Sequence, residues 1–202
     1  MLELLTGSGL ATAAGLNAYI PLLTVGLLSR FTDLMTLPES WRWLENPWVL
    51  GIIAGLLVVE LIADKVPVVD HINDVVQTAV RPTAGGLTFG ASASSETVTV
   101  DDPSAFFSDH AWVPVVAGIV LALIVHGLKS AVRPVVNGTT MGLGGPVVST
   151  VEDGISLSMS VVAILLPILV LFFMVGLIVL LWLFWQRRAK RRAERLNRLP
   201  AG

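Results

Sequence analysis

One stretch of the sequence carries carboxylates at helical spacing. Glu60 and Asp64 lie one helical turn apart, and so do Asp70 and Asp74. Glu60 follows a wholly apolar run, where a charge costs at least ~2.5 kcal/mol on insertion scales, so it must face protein, water or a partner. Asp70, His71 and Asp74 could bind a divalent metal, but the same spacing occurs on any solvated helix face. We therefore predict no metal site and no cofactor.

A second stretch carries basic groups on one helix face. His126, Lys129 and Arg133 follow one another at intervals of three and four residues. Because an unpaired buried charge is strongly destabilising, we predict that carboxylates of the first stretch pair with Lys129 and Arg133, with His126 between them. Such a cluster could line a path for a proton or a solute. It could equally be structural, since Lys and Arg near the end of a span extend their charged groups to the interface.

The two stretches contain a short repeat. The segments QTAVRPTAGG and KSAVRPVVNG share the core Ala-Val-Arg-Pro, and their alignment places Arg81 opposite Arg133. Membrane composition alone would explain matching apolar residues, but not the matching polar positions. We predict a diverged internal duplication with halves at about residues 9–90 and 112–186, in which the two arginines occupy related positions.

The elements that position these residues are predicted to be membrane helices. The chain of 202 residues is 54% hydrophobic and 14% charged, whereas a soluble domain carries about a quarter charged residues. We predict an all-α integral membrane protein with four to five transmembrane helices in a single domain, residues 1–186. The first three spans are predicted at roughly residues 9–28, 47–63 and 112–132. The apolar region after Val147 is too long for one straight span and is expected to break at Pro167.

Two further segments are predicted to be amphipathic or re-entrant. Residues 68–81 have a polar face at helical spacing, and Pro67 is the expected break before them. The run TAGGLTFGASAS that follows Pro82 is too short to cross the bilayer, which takes ~20 residues, and is expected to form a separate half-helix. The glycine-rich residues 137–153 are predicted to be the second re-entrant segment. Residues 94–109 are acidic, which predicts an aqueous loop, and the alternation within them is typical of a short strand.

The C-terminal tail is strongly basic. Seven of the thirteen Lys and Arg residues lie in residues 187–198, which predicts a cytoplasmic tail over residues 187–202 that meets anionic lipid headgroups. The rest of the chain is acidic, so we predict no nucleic-acid partner. The sequence has no cysteine, which excludes disulfides and thiol chemistry, and no G-x-S-x-G motif is present. We therefore predict that the protein is not an enzyme.

Four segments carry a family resemblance: GLNAYIPLL, ELIADKVPVVDHINDVVQTAVRP, HGLKSAVRPVVNGTTMGLGGPVVSTVED and the basic tail. Together they resemble a bacterial integral-membrane family catalogued as domain of unknown function 4126, over almost the whole chain. The resemblance implies a multi-span inner-membrane protein and brings no activity with it. The positions that it marks are Asn17, Glu60, Asp64, Lys65, Asp70, His71, Asp74, Arg81, His126, Lys129, Arg133, Asn137, Ser149, Glu152 and Asp153.

The leading functional prediction is a small transporter or channel-like protein. Its carboxylates would carry protons or cations, and its basic face would hold an anionic solute. The alternative is a non-catalytic membrane scaffold or lipid-interacting protein, in which the charged residues are structural. The candidate binding or pathway residues are Glu60, Asp64, Asp70, His71, Asp74, Arg81, His126, Lys129, Arg133, Asn137, Glu152 and Asp153.

Overall fold

The computed structural model describes residues 2–93, 112–140, 144–176, 178–179 and 186. Its helices are α1 (Leu2–Leu16), α2 (Tyr19–Phe31), α3 (Pro47–Ala63), α4 (Pro67–Ala93), α5 (Trp112–Thr139), α6 (Gly144–Leu165) and α7 (Pro167–Gly176), with a 3-10 helix at Glu39–Glu45. The described residues contain no strand, which confirms the all-helical class. The acidic residues 94–109, for which a loop with a short strand is predicted, and the basic tail at residues 187–202 lie outside the described residues.

Residues 9–28, predicted to form one span, instead form parts of two helices with a turn between them. The cause is Asn17, whose side-chain oxygen accepts hydrogen bonds from the backbone N–H groups of Tyr19 and Ile20 over 3.0 and 3.2 Å. This caps the first turn of α2. A break at this point leaves α1 and α2 with 15 and 13 residues.

The predicted break at Pro82 is also wrong. The helix α4 begins at Pro67, as expected, but continues through Pro82 to Ala93, and α5 likewise continues past Pro134. A proline in a helix removes one hydrogen bond and can kink the helix without ending it. In α4, Arg81 before the proline and Gly85 after it both pack against α5, and that packing holds the two parts of this helix together.

The glycine-rich segment at residues 137–153 is divided between two helices. Its first residues complete α5, and residues 144–153 form the first turns of α6 rather than a separate re-entrant segment. The predicted break at Pro167 is confirmed, because α6 ends at Leu165 and α7 begins at Pro167.

Small residues bring the central helices close together. The largest helix interface joins α4 and α5, and α1 packs against both of them and against α6. A Cβ atom on Gly85 would lie 2.5 Å from the Ala122 Cβ and 2.7 Å from the Gly118 carbonyl oxygen. A Cβ atom on Gly15 would lie 2.6 Å from the Val125 Cβ. Close backbone contact at small residues is typical of helix packing in membranes.

Among the residues that the structure describes, two helices are long and apolar enough to cross a membrane, namely Trp112–Arg133 within α5 and Gly144–Leu165. A third candidate span is the pair Glu39–Glu45 and Pro47–Ala63, which are bent by 57° relative to each other. These two or three candidate spans support the membrane class. The higher number of crossings and the internal duplication remain predictions.

The contacts at the two ends of this bundle give the direction of each helix. At one end, the polar end, Lys129 Nζ donates a hydrogen bond to the Leu16 carbonyl oxygen over 3.1 Å, and Asn17 Nδ2 donates to Asp153 Oδ1 over 3.0 Å. At the opposite end, the start of α1 and the ends of α4 and α6 line a common cavity of about 390 Å³ with residues 33–36, which follow α2. The helices α1, α3 and α5 therefore run towards the polar end, and α2, α4 and α6 run away from it.

Candidate functional site

The polar end contains a buried group of ionisable side chains, which we call the charge cluster. It draws on four consecutive helical segments of the chain, from α3 to α6. Its members are Glu60, Asp64, Asp74, Arg81, His126, Lys129, Arg133 and Glu152. The predicted pairing of first-half carboxylates with Lys129 and Arg133 is therefore observed.

Asp64 lies at the centre of the charge cluster, directly after the last residue of α3, and is 3% exposed. Its Oδ2 lies 3.2 Å from Arg133 Nη2, 3.5 Å from Lys129 Nζ and 3.9 Å from Arg81 Nη2. Its Oδ1 accepts a hydrogen bond from Asn73 Nδ2 over 2.8 Å. Burial acts to raise the pKa of this carboxyl, but Lys129, Arg133, the hydrogen bond from Asn73 and Arg81 together hold the pKa of Asp64 below its usual range.

Two further carboxylates, those of Glu152 and Asp74, lie beside Lys129 and Arg133. Glu152 Oε2 lies 3.0 Å from Lys129 Nζ and 3.3 Å from Arg133 Nη2. Asp74 Oδ2 lies 3.5 Å from Arg133 Nη1. Because Lys129 also donates to the end of α1, its side chain joins α1, α5, α6 and the residue after α3 at one point.

Arg81 connects a carboxylate to the imidazole of His126. Its Nη2 donates to Glu60 Oε1 over 3.0 Å, and its Nη1 lies 3.1 Å from His126 Nδ1. A guanidinium can only donate, so Nδ1 must accept and the neutral ring must carry its proton on Nε2. That Nε2 lies 3.1 Å from Thr78 Oγ1, which in turn donates to the Asp74 carbonyl oxygen over 2.9 Å. The hydrogen bonds thus place an uncharged His126 beside Arg81.

The described part of the charge cluster holds more acidic than basic groups. Four carboxyl groups face three cationic side chains, because His126 is neutral. Glu60 is 2% exposed, and its Oε2 has no hydrogen-bond partner among the described residues. Gln77 Oε1, one turn before Arg81, is also buried without such a partner. An unpaired buried oxygen next to an excess of carboxyl groups is a place where a proton or a small cation would be stabilised.

Other residues selected from the sequence lie apart from this site or outside the described side chains. Asp153 bonds to Asn17 instead of joining the charge cluster, and Lys65 is exposed and donates to the Leu61 carbonyl oxygen over 3.1 Å. Ser149 is fully buried. The candidate residues whose side chains lie outside the description are Asp70, His71 and Asn137.

Two contributors to the site were not selected from the sequence. Asn73 holds Asp64, and Thr78 holds His126. Thr78 lies one turn from both Asp74 and Arg81, so helical spacing alone was a sufficient signal for it. Asn73 has no such signal, because it faces Asp64 across the turn between α3 and α4.

The charge cluster is better suited to a proton or a small cation than to an anion. Each of the three cationic side chains already contacts at least one carboxylate. Among the described side chains, no three His, Asp or Glu residues are placed to bind a metal ion together. What the arrangement can do chemically is to take up and release a single positive charge at Glu60 while the surrounding ion pairs stay in place.

Comparison with known proteins gives a family and no closer relative. A family described as Domain of unknown function (DUF4126) matches residues 4–187. No curated protein and no solved structure matches the chain.

Proposed function

Because the chain belongs to this DUF4126 family, whose function is unknown, we propose one from its geometry: a small transporter or channel-like membrane protein that moves a proton or small cation past the charge cluster. The anionic solute considered from the sequence is not part of this proposal. Lys129 and Arg133 each contact two or more carboxylates already, so an anion would have to displace them.

The observation that carries the proposal is the unpartnered Oε2 of Glu60. A buried carboxyl group held only through Oε1 can change its protonation state without breaking its bond to Arg81. A structural ion pair needs no such excess group. Intramembrane carboxyl groups of this kind are typical of proton and ion pathways.

The proposed setting is a bacterial inner membrane, crossed four or five times, with the C-terminus in the cytoplasm. Turns at the polar end support a transport role. Asn17 and residues 64–66 separate α1 from α2 and α3 from α4, so non-helical backbone reaches the charge cluster from two sides. Backbone of this kind is tolerated at membrane depth where protein or water surrounds it.

The test is proton or monovalent-cation flux into vesicles that contain the purified chain. The Glu60→Gln variant keeps an oxygen for Arg81 but cannot ionise, and we expect its flux to fall by about tenfold or more. The control is Glu39→Gln, because Glu39 is exposed and lies outside the charge cluster. A folded Glu60→Gln variant that retains full flux contradicts the proposal.

The alternative is a membrane scaffold or lipid-interacting protein, and one observation favours it. The ion pairs of Lys129 join segments from both halves of the chain, as structural cross-links do. In that case the wild-type chain gives no flux above empty vesicles. The predicted tail at residues 187–202 would then bind vesicles of anionic lipid, and its deletion would abolish that binding.

A further inference from the structure

A groove on the outer side of the bundle lies apart from the charge cluster. It runs between α2, α3 and α6, has a volume of about 400 Å³, and falls in the range of ligand-binding cavities. Its walls are mainly leucine, from Leu23 on α2, Leu57 and Leu61 on α3 and Leu157 on α6. Leu157 is 53% exposed, so the groove is open to the surroundings of the bundle. We call it the lateral groove.

Among the described residues that line the lateral groove, Asp153 has the one charged side chain. Its Oδ1 accepts a hydrogen bond from Asn17 Nδ2. The amide of Asn17 cannot turn over, because its oxygen already caps the backbone N–H groups of Tyr19 and Ile20. Since Asn17 is 0% exposed, a buried and oriented side chain fixes the position of the Asp153 carboxylate.

The carboxylate of Asp153 lacks a cationic partner in the part of the chain that the structure describes. Among the described side chains, no Lys, Arg or His forms an ion pair with it, because Lys129 contacts the neighbouring Glu152 instead. Asn17 occupies Oδ1, and no described group bonds to Oδ2. A cationic partner would stabilise a carboxylate at the end of an apolar groove in a membrane protein, and the complementary partner is a cation attached to an apolar chain.

We propose that the lateral groove binds an aminophospholipid of the bilayer, with one acyl chain between the leucine walls and the ammonium group on Asp153 Oδ2. Lys65 supports a phospholipid rather than a simple amine. It lies one turn beyond the lining residue Leu61, is exposed, and bonds to the Leu61 carbonyl oxygen. In this proposal its ammonium group meets the lipid phosphate. This inference does not rest on the proposed transport.

The test compares lipids retained by the full chain. The protein is placed in bilayers with equal amounts of phosphatidylethanolamine and phosphatidylglycerol, extracted in mild detergent, and analysed by native mass spectrometry. We expect the wild type to retain phosphatidylethanolamine, and Asp153→Asn to lose that preference by about tenfold. Asp33→Asn is the matched control, because Asp33 is exposed and lies at the opposite end.

A second pair of variants tests the location. Leu157→Trp fills the lateral groove and is expected to abolish retention, whereas Leu123→Trp, at an exposed site on α5 outside the groove, is expected to leave it unchanged. Retention that survives Leu157→Trp places the lipid elsewhere and overturns the proposal.

A third comparison needs no variant, so it decides the matter even where Asp153→Asn does not fold. Wild-type protein is offered phosphatidylethanolamine and its N-acetylated form, which lacks the ammonium charge. We expect retention of the first only. Equal retention of both lipids overturns recognition of the ammonium group and leaves only an acyl-chain contact.

Discussion

One carboxylate oxygen of Asp64, Oδ2, faces three cationic side chains, and the other, Oδ1, accepts a hydrogen bond from Asn73. Both oxygens of the group therefore have partners. Its Oδ2 lies within 3.9 Å of nitrogen atoms from Arg81, Lys129 and Arg133. Removal of this charge would leave like charges close together in a buried place. The remaining carboxylates of Glu60 and Glu152 each reach only part of that set.

We expect Asp64→Asn to be the most destabilising single change in the charge cluster. The loss should be about 3–5 kcal/mol, the usual cost of breaking a buried pair by removing one partner. Thermal or denaturant unfolding of the purified protein in detergent measures it, with Asp33→Asn as the control at an exposed site. A variant as stable as the wild type would show that the three cations find other partners.

The hydrogen bonds of His126 predict its tautomer. Arg81 occupies Nδ1 as a donor and Thr78 lies at Nε2, so the ring should be neutral with its proton on Nε2. Nitrogen-15 NMR of histidine-labelled protein near neutral pH should show one unprotonated and one protonated ring nitrogen for His126. Two protonated nitrogens would mean that Arg81 does not contact the ring as described. His126→Ala identifies the signal.

The glycines of α4 and α5 determine how closely these helices approach. Gly85 and Gly118 face each other across the interface, and this contact brings the side chains of Arg81 and His126 within hydrogen-bond distance. Any side chain added here must separate the helices. Gly127, on the same helix as Gly118, has nothing within 4 Å of where its Cβ would be.

We therefore expect Gly118→Val to destabilise the protein and Gly127→Val to have little packing cost. Both changes replace a glycine inside α5, so their effects on helix propensity match, and the difference between them isolates the packing term. That difference should be about 1–3 kcal/mol, as for other overpacked sites. Unfolding in detergent measures both variants. Equal stability of the two would show that α4 and α5 can separate freely.

The positions of the helix ends were only partly predictable. Pro67 and Pro167 were recognised as breaks, because each stands at the first position of a helix in the structure. The helix end predicted at Pro82 is wrong, because tertiary packing continues across this proline. The turn at Asn17 did have a local signal: a capping residue followed by Pro21 in the first turn of the next helix is a common helix start. The apolar residues on both sides of Asn17 favour one continuous span, and this pattern outweighed the helix-start signal.

For the molecule as a whole, the sequence predicted which residues meet but not which carboxylate they share. Helical spacing placed Lys129 and Arg133 on one face, and the cost of buried charge required acidic partners. The choice of Asp64 as the shared partner depends on how the helices cross, which small residues decide. Arg81 and Arg133, aligned by the repeat, both approach Asp64, while the duplication itself remains a prediction.

The turn at Asn17 has a consequence for biosynthesis. The two N-terminal helices, with 15 and 13 residues, are each shorter than the ~20 residues that span a bilayer, and α1 is buried against α4, α5 and α6. Those partners are synthesised later, so α1 leaves the ribosome before the helices against which it is buried. A ribosome-bound chain ending at Val66, before the first of those partners, should leave a cysteine at Ala13 open to labelling, whereas the complete chain should protect it.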